Sequence, residues 1–343
     1  MKYTGKILVL AYPDTFVKMS DEFICKVLPL VGLGTRTHIK AGHAALVLIE
    51  NKTGIARYYD YGRYVTPTGY GRVRGANTDA ELKIPFKAKI VDGTLENLDE
   101  FLKWLDAHPE KTHGSGRRVA SVCNAIDYKK AQAYIDELQE KGSIPYKAFG
   151  KLGQDCNCSR FVTDAILAAT DDVQLKKGLQ WNKKFTPSTV GNVEKSASEV
   201  GIFEVYQGVI KPYNSTAFKE NITNYFDHKI PEHIKYPEQA VLNKLPEHAQ
   251  LLDGIGSRAW FSYDGVHPKG IIISRYNEKQ EKDFQGVFTI PKELKPDAHF
   301  TFDYDCNCAF CHVVQDGKRY RIELVKEVQG DDETSSSQMA HSA

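Results

Sequence analysis

The sequence lacks any long apolar run and any excess of one charge sign. No uninterrupted apolar stretch approaches the roughly 18 residues that a membrane-spanning helix needs, so we expect no membrane span. Lys and Arg residues number 45, against 44 Asp and Glu residues. Such a balanced surface creates no field for polyanions and excludes nucleic acid as the main partner.

An export signal is lacking as well. The early apolar run Ile7–Ala11 has only five residues, too few for the core of a signal peptide, and no small-residue cleavage site follows it. We therefore expect a buried strand there and a cytoplasmic protein. The seven cysteines are an odd number, and reduced thiols are the expected state in that compartment.

The chain length of 343 residues leaves room for two domains. Residues 1–195 alternate short apolar strands with amphipathic helices, which predicts an α+β domain with an antiparallel sheet. Prolines interrupt residues 196–244, which predicts a connecting or wrapping segment. Strands and turns dominate residues 245–328 and predict a small all-β module. Residues 329–343 are polar and are predicted to be a disordered tail.

The segment around Cys158 is the most informative part of the chain. Phe161 and Ala165 belong to an apolar stripe at helical spacing, and Cys158 falls on that stripe at the helix start. Asn157 or Asp155 is a suitable N-cap. A helix N-terminus lowers the pKa of a thiol and offers amides to an oxyanion, which indicates a nucleophile. The alternative is a buried structural cysteine.

A histidine opens the apolar strand that contains Ala45. If this strand and the next form a tight hairpin, Ala45 lies opposite Asp60, and Asp60 becomes a diagonal same-face neighbour of His43. A carboxylate there would hold the imidazole tautomer and stabilise the imidazolium. A slip of one residue in the register would present Tyr59 or Tyr61 instead.

Together these features resemble a known family. A strand that opens with Gly-His at His43, a polar residue on the next strand and a Cys-Ser-x-Phe-Val helix start at Cys158 are similar to the circularly permuted NlpC-like papain-fold enzymes. That group includes YiiX-type hydrolases and the lecithin:retinol acyltransferase group. The resemblance covers roughly residues 1–195 and implies a papain-like fold, with Cys158 rather than Cys156 as nucleophile. It also implies that Tyr146 lines the site.

An Arg- and Tyr-rich passage follows the second hairpin strand. The guanidinium groups of Arg63, Arg72 and Arg74 are suited to binding a carboxylate or a phosphate. The alternative is an ordinary surface loop that binds no ligand. Arg63 and Arg72, together with Tyr146, are the candidate substrate-binding residues.

A second cysteine cluster lies in the β module, where Cys306, Cys308, Cys311 and His312 are close in sequence. Thiolates and imidazoles are zinc ligands, so a zinc-stabilised interaction protein is one alternative. Cys-x-Cys is a poor zinc pair, however, and the main hypothesis requires neither a metal nor a cofactor.

The sequence as a whole predicts a cysteine-dependent hydrolase, a peptidase or amidase, that acts on an amide, ester or thioester bond. Cys158 attacks the carbonyl, His43 serves as base and then as acid, and Asp60 orients His43. An acyltransferase on the same scaffold and a non-catalytic papain-like binding protein remain alternatives. The expected partners are a peptide-like or acyl-bearing substrate and, through the β module, a protein.

Overall fold

The computed structural model describes residues 2–149, 155–184, 186–232 and 245–328. Within these residues the chain forms two compact units. The first lies within Met1–Arg63, Thr68–Ala76 and Glu81–Glu238, and the second within Tyr64–Pro67, Asn77–Ala80 and Gln239–Ala343. The domain boundaries predicted at 195 and 245 stay predictions, and the predicted disordered tail lies outside the described residues.

The strands of the first unit are β1 (Gly5–Tyr12), β2 (Val17–Lys18), β3 (His38–Ile39), β4 (His43–Glu50), β5 (Ala56–Gly62), β6 (Tyr70–Gly75), β7 (Ile90–Val91), β8 (Thr94–Leu95), β9 (Arg118–Ile126), β10 (Ile144–Pro145), β11 (Ile202–Tyr206) and β12 (Val209–Pro212). The described α-helices are α1 (Phe23–Val27), α2 (Leu98–Ala107), α3 (Pro109–Thr112), α4 (Tyr128–Lys141), α5 (Cys158–Ala169), α6 (Val173–Asn182), α7 (Thr189–Ser196) and α8 (Ala217–Tyr225). Short 3₁₀ helices cover Leu28–Val31 and Ala80–Leu82.

An eight-stranded sheet organises the first unit, in the order β10-β6-β5-β4-β1-β9-β11-β12. Its strand pairs are antiparallel. The predicted combination of helices with an antiparallel sheet is therefore confirmed. Two further pairs, β2 with β3 and β7 with β8, stand apart from this sheet.

Helices cover both faces of the sheet, and β1 shows why its sequence is continuously apolar. Ile7 and Val9 face a core that contains residues of α4, α5 and α7. Leu8 and Leu10 face the opposite core, which contains residues of α2. Because side chains alternate along a strand, a strand buried on both faces needs apolar residues at every position.

The described part of residues 196–244 contains sheet strands, where the sequence predicts a connecting or wrapping segment. β11 pairs with β9, and β12 pairs with β11 at the margin of the sheet. Pro212 ends β12 at this margin. A proline is tolerated on an edge strand because its missing N–H donor faces away from the ladder. Prolines therefore did not exclude strands from this stretch.

The second unit is the small all-β module that the sequence predicts. Its strands are β13 (Gln250–Asp253), β14 (Arg258–His267), β15 (Gly270–Tyr276), β16 (Lys282–Phe288), β17 (Thr301–Asp303), β18 (Phe310–Gln315) and β19 (Lys318–Glu327). They form one sheet in the order β13-β14-β15-β16-β19-β18-β17. The Gln250 side chain accepts a hydrogen bond from Phe302 N at 2.8 Å, so the two edges come together and nearly close the sheet.

None of the described helices is both long enough and apolar enough to cross a bilayer.

Candidate active site

Cys158 occupies the first position of α5. Asn157 precedes it in extended conformation, and its side-chain oxygen accepts a hydrogen bond from Arg160 N at 2.8 Å. The same side chain donates to Lys147 O at 3.0 Å, which ties the helix start to the segment that approaches it. Asn157 is therefore the N-cap, and not Asp155. The other backbone amides of the first turn lie at the end of α5 that carries the Cys158 thiol.

His43 stands at the start of β4, directly after a glycine that the backbone requires. Gly42 has a φ of +76°, and a Cβ there would lie 2.8 Å from Thr189 Oγ1. The imidazole stacks on the ring of Tyr12, with 5.9 Å between the ring centroids. His43 is only 7% exposed. The backbone turn at Gly42 and the ring of Tyr12 therefore restrict the position of the His43 imidazole.

The hairpin register predicted from the sequence is confirmed, because Ala45 pairs with Asp60. Asp60 is fully buried, and its Oδ2 lies 3.4 Å from His43 Nε2. The two alternatives for this position point elsewhere. The Tyr59 hydroxyl contacts Gln132.

Tyr61 is the other of those alternatives. Its hydroxyl donates to Ile144 O at 2.8 Å, away from the imidazole. Of the three residues that the sequence left open, the structure therefore brings Asp60 to the histidine.

A second ion pair, which the sequence did not assign, holds Asp60. Arg74 Nε donates to Asp60 Oδ1 at 3.0 Å, and Arg74 Nη2 donates to Oδ2 at 2.6 Å. The Tyr58 hydroxyl donates to the same carboxylate at 3.1 Å. Arg74 pairs with Asp60 across β5 and β6. Extending the confirmed hairpin by one strand would have found it, because paired residues share a face of the sheet.

The pKa values separate this pair from an ordinary thiol and imidazole. Burial alone would raise the pKa of Cys158, but the hydrogen bond and charge of His43 and the amides of Ala44 and Ser159 lower it below the usual thiol value. Burial would lower the pKa of His43, but hydrogen bonds to Asp60 and Cys158 raise it to about 9. A thiolate beside an imidazolium is the form that these shifts favour.

The pKa values of the neighbouring Asp60 carboxyl and Cys156 thiol shift in directions that agree with this arrangement. Arg74 and His43 overcome the effect of burial and hold the pKa of Asp60 well below its usual value. Burial raises the pKa of Cys156 far above the usual thiol value. The pKa values of the two cysteines of this segment therefore shift in opposite directions, downward for Cys158 and upward for Cys156.

The candidate substrate-binding residues lie at different places. Tyr146 lines a cavity beside Cys158, and burial together with the neighbouring Cys158 raises the pKa of its hydroxyl. The Arg63 guanidinium lies 4.8 Å from the centroid of the Tyr146 ring and donates to Lys18 O at 2.8 Å. Arg72 is buried in β6, opposite Gly62. Neither arginine is among the described residues that line the cavity.

The cysteines of the β module are buried thiols. Cys306 Sγ accepts a hydrogen bond from His312 N at 3.3 Å, and the Arg275 guanidinium lies 3.4 Å from Cys308 Sγ. Across the described ranges, no three His, Cys, Asp or Glu side chains converge to hold a metal ion. The zinc alternative therefore finds no ligand set in this part of the chain.

Two protein families match separate parts of the chain. Residues 7–175 match the family model of the type VI secretion system effector TseH-like proteins. Residues 249–325 match the DUF6695 C-terminal domain. No curated protein sequence matches the chain.

One solved structure is similar, the crystal structure of the type VI secretion system effector TseH. It shares 19% identity over 62% of this chain and 98% of its own, with a TM-score of 0.42. The matched segment 7–175 contains Cys158, His43 and Asp60.

Proposed function

We propose that the first unit is a papain-like cysteine hydrolase of the permuted type. The observation that carries the proposal is the buried contact between Cys158 and His43, in which the thiol pKa is lowered and the imidazole pKa is raised to about 9. A thiol and an imidazole that only packed together in a core would both be driven toward their neutral forms by burial.

In the proposed mechanism, the Cys158 thiolate attacks the carbonyl carbon of an amide, ester or thioester. Amides at the start of α5 stabilise the oxyanion. The His43 imidazolium gives its proton to the leaving group as the bond to that group breaks, which leaves a thioester on Cys158. His43 then removes a proton from water as the water oxygen forms a bond to the acyl carbon. The bond from that carbon to Cys158 Sγ breaks, which releases the carboxylic acid and restores the thiolate beside the imidazolium.

Asp60 has the role of a positioning residue. Its Oδ2 faces Nε2 of His43, which leaves Nδ1 for the thiol. A carboxylate at Nε2 selects the tautomer and stabilises the charged ring after the proton transfer. Tyr146, which lines the same cavity as Cys158, is proposed to lie near the reacting carbonyl.

The test is alkylation of the chain by iodoacetamide across a pH series, read by peptide mass spectrometry. Cys158 should be labelled near pH 6, where an ordinary thiol is protonated. Cys123 is a control within the same unit, because burial raises its pKa to about 12.

The variant His43→Ala should abolish the labelling of Cys158 at low pH, because burial then acts on the thiol without an opposing charge. Equal labelling of Cys158 and Cys123 in the native protein would contradict the proposal. It would favour the alternative of a papain-like binding protein.

An acyltransferase on the same scaffold differs only in the acceptor. A thioester on Cys158 can pass to water, an alcohol or an amine, and the catalytic residues are the same for each. Product analysis in the presence of an added alcohol separates the two activities, because a transferase forms the new ester in preference to the acid.

The match of residues 7–175 to type VI secretion effectors supports the proposal that the hydrolase acts after delivery to a target. The cytoplasmic location that the sequence predicts is then proposed for the chain before delivery. Fractionation of producing cells, with immunodetection in the cytoplasm and in the medium, tests both proposals. Binding of a protein partner through the second unit also stays a proposal.

A further inference from the structure

A cavity of about 250 Å³ lies in the first unit, and Cys158 is one of the residues that line it. Apolar side chains form much of its wall, namely those of Val17, Met19, Leu28, Leu33, Ile39 and Pro187. An apolar group that binds there is transferred out of water, and its affinity increases with the apolar surface area that it buries. The cavity therefore favours hydrocarbon over polar groups next to the nucleophile.

Two polar side chains of the lining have partners within the protein. Ser20 Oγ donates to Glu22 at 2.7 Å, and Ser159 Oγ accepts from Asn192 at 3.0 Å. Among the described lining residues Lys18 is charged, and none is Asp or Glu. A cationic substrate group would lose its water without gaining a carboxylate partner from these residues, which costs free energy.

The size of the cavity sets the size of its occupant. An apolar protein cavity of about 150 Å³ holds one benzene ring. In proportion, the 250 Å³ beside Cys158 accepts an unbranched chain of about eight to ten carbons. That exceeds the aliphatic side chain of any single amino acid. An acyl chain therefore fits the cavity better than a peptide side chain does.

Hydrogen bonds tie the segments that form the wall to other parts of the first unit. The Glu22 carboxylate accepts hydrogen bonds from Ala148 N at 2.6 Å and from Phe149 N at 3.3 Å, just ahead of the cysteine helix. Gly34 N donates to Tyr225 O at 2.7 Å. Segments held by such bonds lose less conformational freedom when a substrate binds.

We propose that the substrate of this site is an acyl ester or thioester whose acyl chain has about eight to ten carbons. The inference rests on the proposed function. The chain occupies the cavity while Cys158 Sγ forms a bond to the acyl carbon and the alcohol or thiol leaves with a proton from His43. Water then cleaves the acyl-cysteine thioester to the fatty acid and the free thiol.

The experiment measures kcat/KM for p-nitrophenyl esters from acetate to tetradecanoate, each below its micelle concentration. The native chain should gain about three- to fourfold for each added methylene until the cavity is filled. Beyond about ten carbons the gain should stop. The variant Cys158→Ala gives the background rate.

A matched pair of variants tests the location of the chain. Leu28 lines the cavity, whereas Leu30, in the same 3₁₀ helix, is 83% exposed and does not line it. Leu28→Trp should reduce the preference for octanoate over butanoate by about tenfold, because the indole takes the room of roughly two methylenes. Leu30→Trp should keep the native preference.

The outcomes separate this inference from the proposed function. Hydrolysis that depends on Cys158 but not on chain length would overturn the acyl-chain proposal and leave the hydrolase standing. Absence of both ester hydrolysis and selective alkylation of Cys158 would overturn the proposed function itself. If Leu28→Trp fails to fold, which circular dichroism reports, the chain-length series of the native protein still decides.

Discussion

Arg74 holds Asp60 more closely than His43 does. The Arg74 Nη2–Asp60 Oδ2 distance is 2.6 Å, whereas His43 Nε2 lies 3.4 Å from the same oxygen. Charge-assisted hydrogen bonds between nitrogen and oxygen usually measure about 2.7–2.9 Å. Arg74 is therefore the closer partner of the Asp60 carboxylate, and the same Oδ2 atom also contacts the imidazole of His43.

Removal of Arg74 should destabilise the first unit. Arg74→Ala leaves the buried Asp60 charge without its main partner, and breaking a buried pair in this way costs about 3–5 kcal/mol. Urea denaturation at neutral pH measures the loss. Lys141→Ala is the control, because Lys141 pairs with Glu137 on the surface with more than half of each side chain exposed. A cost for Arg74→Ala no larger than that of the control would contradict the anchoring role.

The pH dependence of hydrolysis should be bell-shaped, if the proposed mechanism holds. Activity should rise as pH climbs through the lowered pKa of Cys158, which forms the thiolate. It should fall as pH passes about 9, because the His43 imidazolium then loses the proton that the leaving group needs. A plot of log kcat/KM against pH measures both limbs.

Asp60→Asn should move the basic limb of that profile to lower pH, since an amide no longer raises the pKa of His43 through charge. The ratio of the native rate to the variant rate should therefore grow as pH rises toward 9, whereas a purely structural defect would lower the rate by the same factor at every pH. An unchanged basic limb with a uniformly reduced rate would show that Asp60 serves folding alone.

Substitution of Cys158 and substitution of Cys156, both near the start of α5, should have very different effects on kcat. Cys158→Ala removes the nucleophile and should lower kcat by at least about 10³-fold. Cys156→Ala should stay within a few fold of native, because burial keeps the Cys156 thiol protonated. Rates for both variants, on protein shown to be folded, check this. Comparable losses in both would contradict the assignment of Cys158.

Gly42→Ala should lower the free energy of unfolding by more than the backbone conformation of Gly42 alone explains. Gly42 has a φ of +76° and no room for a Cβ, whereas Gly93 has a φ of +81° and nothing within 4 Å. Gly93→Ala measures the conformational cost, about 1 kcal/mol. Gly42→Ala should exceed it and should also lower activity, since the clash displaces His43. Equal melting temperatures for the two variants would rule out the clash.

Local patterns were sufficient for the elements that carry the site. The apolar spacing and the Asn157 cap predict the start of α5, and the short hairpin sets the register that pairs Ala45 with Asp60. Both depend on neighbours within a few residues or one turn, where sequence determines geometry directly. The mixed helix and antiparallel sheet architecture and the all-β character of the second unit follow from the same periodicities.

Only the tertiary structure decided which groups perturb the pair and which side chains line the cavity beside it. Arg74 reaches Asp60 across a further strand, and β11 joins the sheet through a pairing with β9 that is distant in sequence. The apolar cavity beside Cys158 is built from segments on both sides of the nucleophile in the chain. Burial, and hence the pKa of a thiol or a carboxylate, depends on such packing, which no local pattern specifies.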